Sequence, residues 1–158
     1  MREYLCNMYP TLRNKCAVHS SGEVQVGGSE LWIRLENILH DTGSISANYI
    51  SLHLVDRYRK ELGNKIRKKI RRVTLAEKDN TVETSEELTL TIRFIEDMGA
   101  KRTFIYTGNF IVLDMDGNDA IIGLPAILGE LFDFFISMLS NARKHGAFPS
   151  KDLRLKKA

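Results

Sequence analysis

The chain has 158 residues, of which 43% are hydrophobic and 27% charged, with a formal net charge of +3. This composition is enough for one globular domain with a core and excludes a wholly disordered chain. The apolar runs are too short for a membrane span, the N-terminal residues lack the apolar centre of a signal peptide, and two cysteines make no disulfide framework. So mild a charge does not by itself imply a nucleic-acid partner. We therefore expect a soluble intracellular domain with no membrane contact.

The N-terminal residues differ from the rest, because they hold several glycines and serines and show no sustained hydrophobic period. This pattern predicts a loose leader or linker. Cys6, Cys16 and His19 lie there without the close cysteine pair of a zinc site, so we favour reduced, structurally incidental cysteines over a metal site. The sequence thus divides into a leader, a globular domain and a basic tail, over residues 1–28, 29–145 and 146–158.

The first strand pattern follows the leader. Apolar and polar residues alternate over 31–35, and Glu36-Asn37 predicts a turn before a second short apolar segment over 38–40. A tight turn at 41–44 then leads into another apolar stretch, 45–50.

Helical spacing appears at two places. Ser51 can cap a helix that runs to about Leu62. A second helix is predicted from beyond Pro125 to Arg143. Phe134 lies off the main apolar side of this helix, and we interpret it as a candidate contact with a second copy of the chain, that is, between subunits.

The remaining segments have strand character. A hairpin is predicted over 73–84, with a polar turn at 77–80. Further strands are predicted over 88–94, 103–106, 109–113 and 120–122. Many short strands with two helices predict a mainly β domain, closed or partly closed.

The tetrapeptide Asp41-Thr42-Gly43-Ser44 stands directly after one apolar strand and before another. A carboxylate there would lie at a strand end, in a tight glycine turn with apolar walls. The hydroxyls of Thr42 and Ser44 could hydrogen-bond around it and hold its orientation, which suits acid–base chemistry. The motif alone is a weak signal, and an Asx-type turn between strands is the alternative.

A second motif, Asp119-Ala120-Ile121-Ile122-Gly123-Leu124-Pro125, lies about 80 residues downstream and follows the apolar segment Phe110 to Asp114. The two motifs in this order resemble the retropepsin-like aspartic proteases of long-terminal-repeat retroelements, and most closely the gypsy-like retrotransposon branch. The resemblance covers about residues 30–128.

This resemblance implies a retropepsin-like closed β-barrel with a flap hairpin and a C-terminal helix, acting as an aspartic endopeptidase without metal or cofactor. Asp41 would be the catalytic carboxylate, and Thr42, Gly43, Ser44 and Gly123 would support its loop. The hairpin would be a flap whose substrate-binding residues are Ala76, Glu77, Lys78, Asp79 and Asn80. The implied substrate is a retroelement polyprotein, processed in the cytoplasm or within a retroelement particle.

Stoichiometry then predicts the assembly. Aspartic proteolysis needs two carboxylates that share one proton. The sequence contains no second Asp-Thr-Gly or Asp-Ser-Gly, and 158 residues are too few for two lobes. The second carboxylate must therefore come from a twin chain, which predicts a two-fold homodimer.

Three features depart from the family or leave alternatives open. His40 stands where the family usually has an apolar residue; it could pack in the core or, if charged, lower the carboxylate pKa. The flap turn 77–80 lacks the glycines of many flaps.

The basic segment 65–72 gives the alternative function, a catalytically silent binding or assembly module that contacts RNA. We favour a solvated surface for this segment, because no aromatic residues accompany the charges. A calcium loop beginning at Asp114 would need glycine at its sixth position, where Asp119 stands, and glutamate at its last, where Pro125 stands, so we exclude calcium.

Overall fold

The computed structural model describes residues 17–27, 30–74, 80–95 and 102–144. In these residues the chain forms seven strands and four short helices: β1 (Ala17–Gln25), β2 (Trp32–Asp41), β3 (Asn48–Ser51), α1 (Leu52–Arg57), α2 (Arg59–Leu62), β4 (Arg67–Thr74), β5 (Thr81–Ile95), β6 (Thr103–Leu113), β7 (Ala120–Ile122), α3 (Leu124–Leu128) and α4 (Phe132–Lys144). None of these helices is long and apolar enough to cross a membrane.

Six strands form a closed barrel in the order β1-β2-β7-β3-β6-β5, which the pairing of β1 with β5 completes. The closure depends on Gly22, because a Cβ atom there would lie 2.6 Å from the carbonyl oxygen of Arg93 on β5. The core inside the barrel is built from alternate strand residues and the apolar side of α4. The prediction of a mainly β domain with a closed barrel is confirmed.

The prediction of a loose N-terminal leader is wrong for residues 17–25, which form β1. Val24 and Val26 are fully buried, and β1 pairs with β2 along most of its length. The small residues Ser20, Ser21 and Gly22 interrupt the alternation of apolar and polar residues that marks a strand. They lie where the register of β1 against β2 shifts and where β1 begins to pair with β5. Residues 1–16 of the leader, with Cys6 and Cys16, and the tail 146–158 lie outside the described residues.

The predicted turn at Glu36-Asn37 is instead an irregularity within the continuous strand β2. The register of β1 against β2 shifts there, between the pairs Ser20–Ile38 and Gly22–Leu35. The backbone N–H groups of Glu36 and Asn37 donate to Oδ2 of Asp119, at 2.9 and 3.2 Å. A polar pair in a bulge has the same composition as a polar pair in a turn, and only the partner strands distinguish them.

Both predicted helices are interrupted. Tyr58, at φ −116° and ψ 25°, separates α1 from α2, and Ser51 precedes α1 without a side-chain capping hydrogen bond. Gly129 leaves the helical region and separates α3 from α4. The interpretation of Phe134 as a contact between subunits is wrong, because its side chain is 2% exposed and packs between Phe94 and Phe104.

The predicted hairpin is present and longer than expected. Strand β4 begins at Arg67 rather than at residue 73 and pairs with β5 from Thr74–Thr81 to Arg67–Glu87. The proposed flap residues Ala76, Glu77, Lys78 and Asp79 lie outside the described residues, and Asn80 is exposed. The hairpin extends from the barrel, since β4 pairs only with β5 among the described strands.

Candidate active site

Asp41 lies at the end of β2, in a turn held by its own backbone. The Gly43 N–H donates to Oδ1 of Asp41 at 2.8 Å, and the Ser44 N–H donates to the Asp41 carbonyl oxygen at 3.1 Å. The first of these bonds is that of an Asx turn, so the carboxylate orientation is fixed by the main chain. Thr42 is buried, while Asp41 itself is half-buried. An oriented, accessible carboxylate is therefore present at this strand end.

Gly123 packs directly behind this turn. Strand β7 lies between β2 and β3, parallel to the first and antiparallel to the second, and Gly123 follows its last residue. The Leu124 N–H donates to the Ser44 carbonyl oxygen at 2.7 Å. A Cβ atom on Gly123 would overlap the carbonyl oxygen of Ala47 and lie 2.9 Å from that of Ser44. The loop and the end of β7 thus pack backbone against backbone.

Asn48 stabilises the same contact, although it belongs to neither of the two sequence motifs. Its buried side chain accepts from the Gly123 N–H at 2.8 Å and donates to the Tyr106 hydroxyl at 2.9 Å. It also lies 3.4 Å from the Asn109 carbonyl oxygen as a donor. The available signal was a polar residue at the start of an apolar strand, where burial requires hydrogen-bond partners. Asn48 connects the loop to β6.

The turn opens into a pocket of about 690 Å³ between the loop, the β4 strand and the barrel wall. Asp41 is the sole carboxylate among the described residues that line it, and Arg71 and Arg72 are the cations. Burial raises the pKa of the Tyr49 hydroxyl in the wall, against the opposing effects of Ser44 and Arg71. The apolar side chains of the lining are Ile45, Ala47, Val73, Ile111, Leu113 and Ile121. The pocket therefore combines one carboxylate with an apolar wall and a basic side.

His40 points away from this pocket into the core, so the first of the two alternatives for it is confirmed. It is fully buried, its ring centroid lies 5.5 Å from that of Phe94 and 5.6 Å from that of Phe134, and its Nε2 is 2.7 Å from Ser20 Oγ. Its Nδ1 has no hydrogen-bond partner within the described residues. Burial, with a smaller effect of His19, lowers the pKa of His40 from 6.5 to about 3. The ring is neutral and is part of the core.

We expect this buried imidazole to make the fold sensitive to mild acid. The unfolded chain takes up a proton on His40 below pH 6.5, whereas the folded chain excludes it until about pH 3. The free energy of unfolding should therefore fall by about 2 kcal/mol between pH 6.5 and 5. His40→Leu should lack this loss, and urea unfolding at a series of pH values measures it. Parallel curves for the two proteins over this range would contradict the assignment.

The basic segment 65–72 is mostly strand β4, and internal carboxylates match part of its charge. Lys68 lies 3.1 Å from Glu86, and Arg71 lies 2.9 Å from Glu87. The Arg59 and Lys68 hydrogen bonds lower the pKa of Glu86 despite its burial. Burial opposes ionisation of Glu87, but hydrogen bonds from Asn109 and Arg71 leave its pKa below the ordinary value. These cations are therefore less available to RNA phosphates than the sequence alone indicates.

Other ligand sites are not apparent in the described part of the chain. Its histidines, aspartates and glutamates form no group of three that could hold a metal ion. A comparison of the chain with protein-family models and with curated proteins finds no match. A proposal for its function therefore depends on the residues and geometry of the Asp41 pocket and on the sequence motifs.

Proposed function

We propose that the chain is an aspartic endopeptidase that acts as a homodimer, with Asp41 of each subunit in one shared site. The observation that carries the proposal is the loop at Asp41. It presents an oriented carboxylate to a pocket, and β7 and Gly123 pack directly behind it. The order of the two sequence motifs supports the same function.

The chemistry assigned to the pair is general acid–base catalysis on water. The ionised Asp41 removes a proton from a water molecule as the water oxygen attacks the peptide carbonyl carbon. The protonated Asp41 of the twin chain donates its proton to the carbonyl oxygen. The tetrahedral intermediate then breaks at the C–N bond as the nitrogen receives the proton that Asp41 took from water. One hydroxyl of the intermediate returns its proton to the Asp41 of the twin chain, so the carboxylic acid forms and the pair is restored. No bond forms between enzyme and substrate.

The need for a second chain follows from counting. Asp41 is the one carboxylate among the described pocket residues, and this chemistry needs two that share a proton. A two-fold axis beside Asp41 would bring the second into place. The two would titrate as one coupled pair, and activity would require the dimer.

The β4–β5 hairpin is the element that we assign as the flap. Residues 71–74 of β4 line the pocket, so this end of the paired strands lies at the edge of the site. An extended peptide between this strand and the Asp41 loop would contact the apolar wall. The expected substrate is a retroelement polyprotein, in the cytoplasm or a retroelement particle.

A peptide-library digestion tests the function. We would incubate the purified protein with mixed peptides from pH 5 to 7.5 and identify products by mass spectrometry, with and without a statine inhibitor. The proposal requires cleavage that the inhibitor blocks and that rises more steeply than linearly with protein concentration.

No cleavage at concentrations where the protein is dimeric would contradict the proposal. Salt-dependent binding of single-stranded RNA by the same inactive protein would then support the alternative function, a catalytically silent assembly module that uses residues 65–72.

A further inference from the structure

Arg71 on β4 is a fixed cation in the wall of the Asp41 pocket. Its Nε and Nη2 atoms lie 3.1 and 2.9 Å from Oε2 of Glu87. Its side chain is 36% exposed, and Arg71 is one of the residues that line the pocket. A guanidinium held in this way keeps donors available for a second acceptor.

The position of Arg71 is set by a hydrogen-bonded chain that reaches the catalytic loop. Glu87, whose side chain is 9% exposed, accepts from Asn109 Nδ2 at 3.2 Å. The carbonyl oxygen of Asn109 lies 3.4 Å from Asn48 Nδ2, and Asn48 accepts from Gly123. The guanidinium is therefore positioned relative to the Asp41 turn before any ligand binds, which reduces the entropic cost of binding.

Glu87 alone does not neutralise the cations that it contacts in this wall. Glu87 pairs with two cations, because Arg67 lies 3.6 Å from it in addition to Arg71. Arg72 adds a further positive charge to the pocket lining, where Asp41 is the one described anion. Because Arg67 and Arg71 share the single carboxylate of Glu87, this pair of guanidiniums keeps positive charge that Glu87 does not neutralise, beside an apolar wall. Such a wall favours a ligand with a carboxylate next to apolar side chains.

We propose that Arg71 is a specificity-determining residue that binds an acidic side chain of the substrate. The preferred peptides would then carry Glu or Asp near an apolar residue at the scissile bond. This inference rests on the proposed function, since it assumes that the pocket binds a peptide. Arg71 would bind the carboxylate with donors that Glu87 does not use, while Val73 and Ile121 would contact the apolar neighbour.

Binding to the full-length Asp41→Asn protein tests the inference without requiring hydrolysis. Fluorescent peptides of one apolar sequence, with Glu or Gln moved through successive positions, would be titrated by anisotropy. At one position or more we expect the Glu peptide to bind about tenfold more tightly than its Gln twin. The difference should shrink as salt is raised.

Matched variants identify the residue. Arg71→Gln should equalise the affinities of the two peptides, and Arg71→Lys should keep part of the preference. Arg57→Gln, which removes an exposed cation on α1, should keep all of it. Equal binding of Glu and Gln peptides at every position, no peptide binding, or a preference that survives Arg71→Gln would overturn the inference. Library cleavage by the wild-type protein separately decides the proposed function.

Discussion

Asp41→Asn is expected to reduce peptide cleavage by about 10²–10⁴-fold and to leave the fold nearly unchanged. Asparagine keeps an oxygen at the position where Asp41 accepts from the Gly43 N–H, so the turn can form as before. It cannot accept a proton from water, and it cannot share a proton with a twin carboxylate. The rate of cleavage of the best library peptide, measured with the urea midpoint of the same sample, tests both parts.

The control for this substitution is Asp116→Asn, which removes a carboxylate from an exposed turn. It should retain wild-type cleavage within about twofold, because the side chain lies outside the pocket lining. Undiminished cleavage by Asp41→Asn would show that a contaminating protease or another site is responsible. Unfolding of that variant at a much lower urea concentration would show that the turn depends on the charge.

Gly123→Ala is expected to destabilise the fold by about 1–3 kcal/mol and to reduce cleavage as well. The backbone of Gly123, at φ −93° and ψ 177°, is accessible to any residue, so the cost does not come from backbone strain. It comes from contact, because the added methyl group would overlap the carbonyl oxygen of Ala47. The backbone must move, and Ser44 would move with it. Thermal unfolding and the cleavage rate together measure the effect.

Gly63→Ala is the matched control. Gly63 follows α2 with helical backbone angles, and a methyl group there would meet the carbonyl oxygen of Arg59 at 3.2 Å, within its own helical turn. We expect a change of less than about 1 kcal/mol and normal cleavage. A loss as large as that of Gly123→Ala would mean that the effect is not specific to the contact behind the loop.

The barrel could be predicted from the sequence where one face of a strand is buried and the other is not. The alternation over 88–94 belongs to β5, whose inner residues Leu90, Ile92 and Phe94 are almost completely buried. The alternation did not predict β1, because Ser20, Ser21 and Gly22 lie at the register shift against β2 and at the start of the pairing with β5. A strand that bends or crosses another loses its period at that point.

The candidate site could be predicted only in part. Asp41 and Gly123 each belong to a short motif, so their spacing along the chain was informative. Asn48, Glu87 and Arg71 act through contacts with distant strands, and those contacts depend on the register of β3, β4, β5 and β6. Register across a barrel is set by the whole arrangement of strands. A single sequence does not show which polar side chains that arrangement brings together.

The mixing of wild-type and Asp41→Asn chains tests most directly that one carboxylate from each subunit forms the site. At concentrations where both proteins are dimeric by sedimentation, the variant would be added to a constant amount of wild-type protein, and subunits would be allowed to exchange. The shared site predicts that cleavage falls in proportion to the wild-type fraction, to about one fifth at a fourfold excess of the variant. Cleavage that stays constant at every ratio would contradict the shared site.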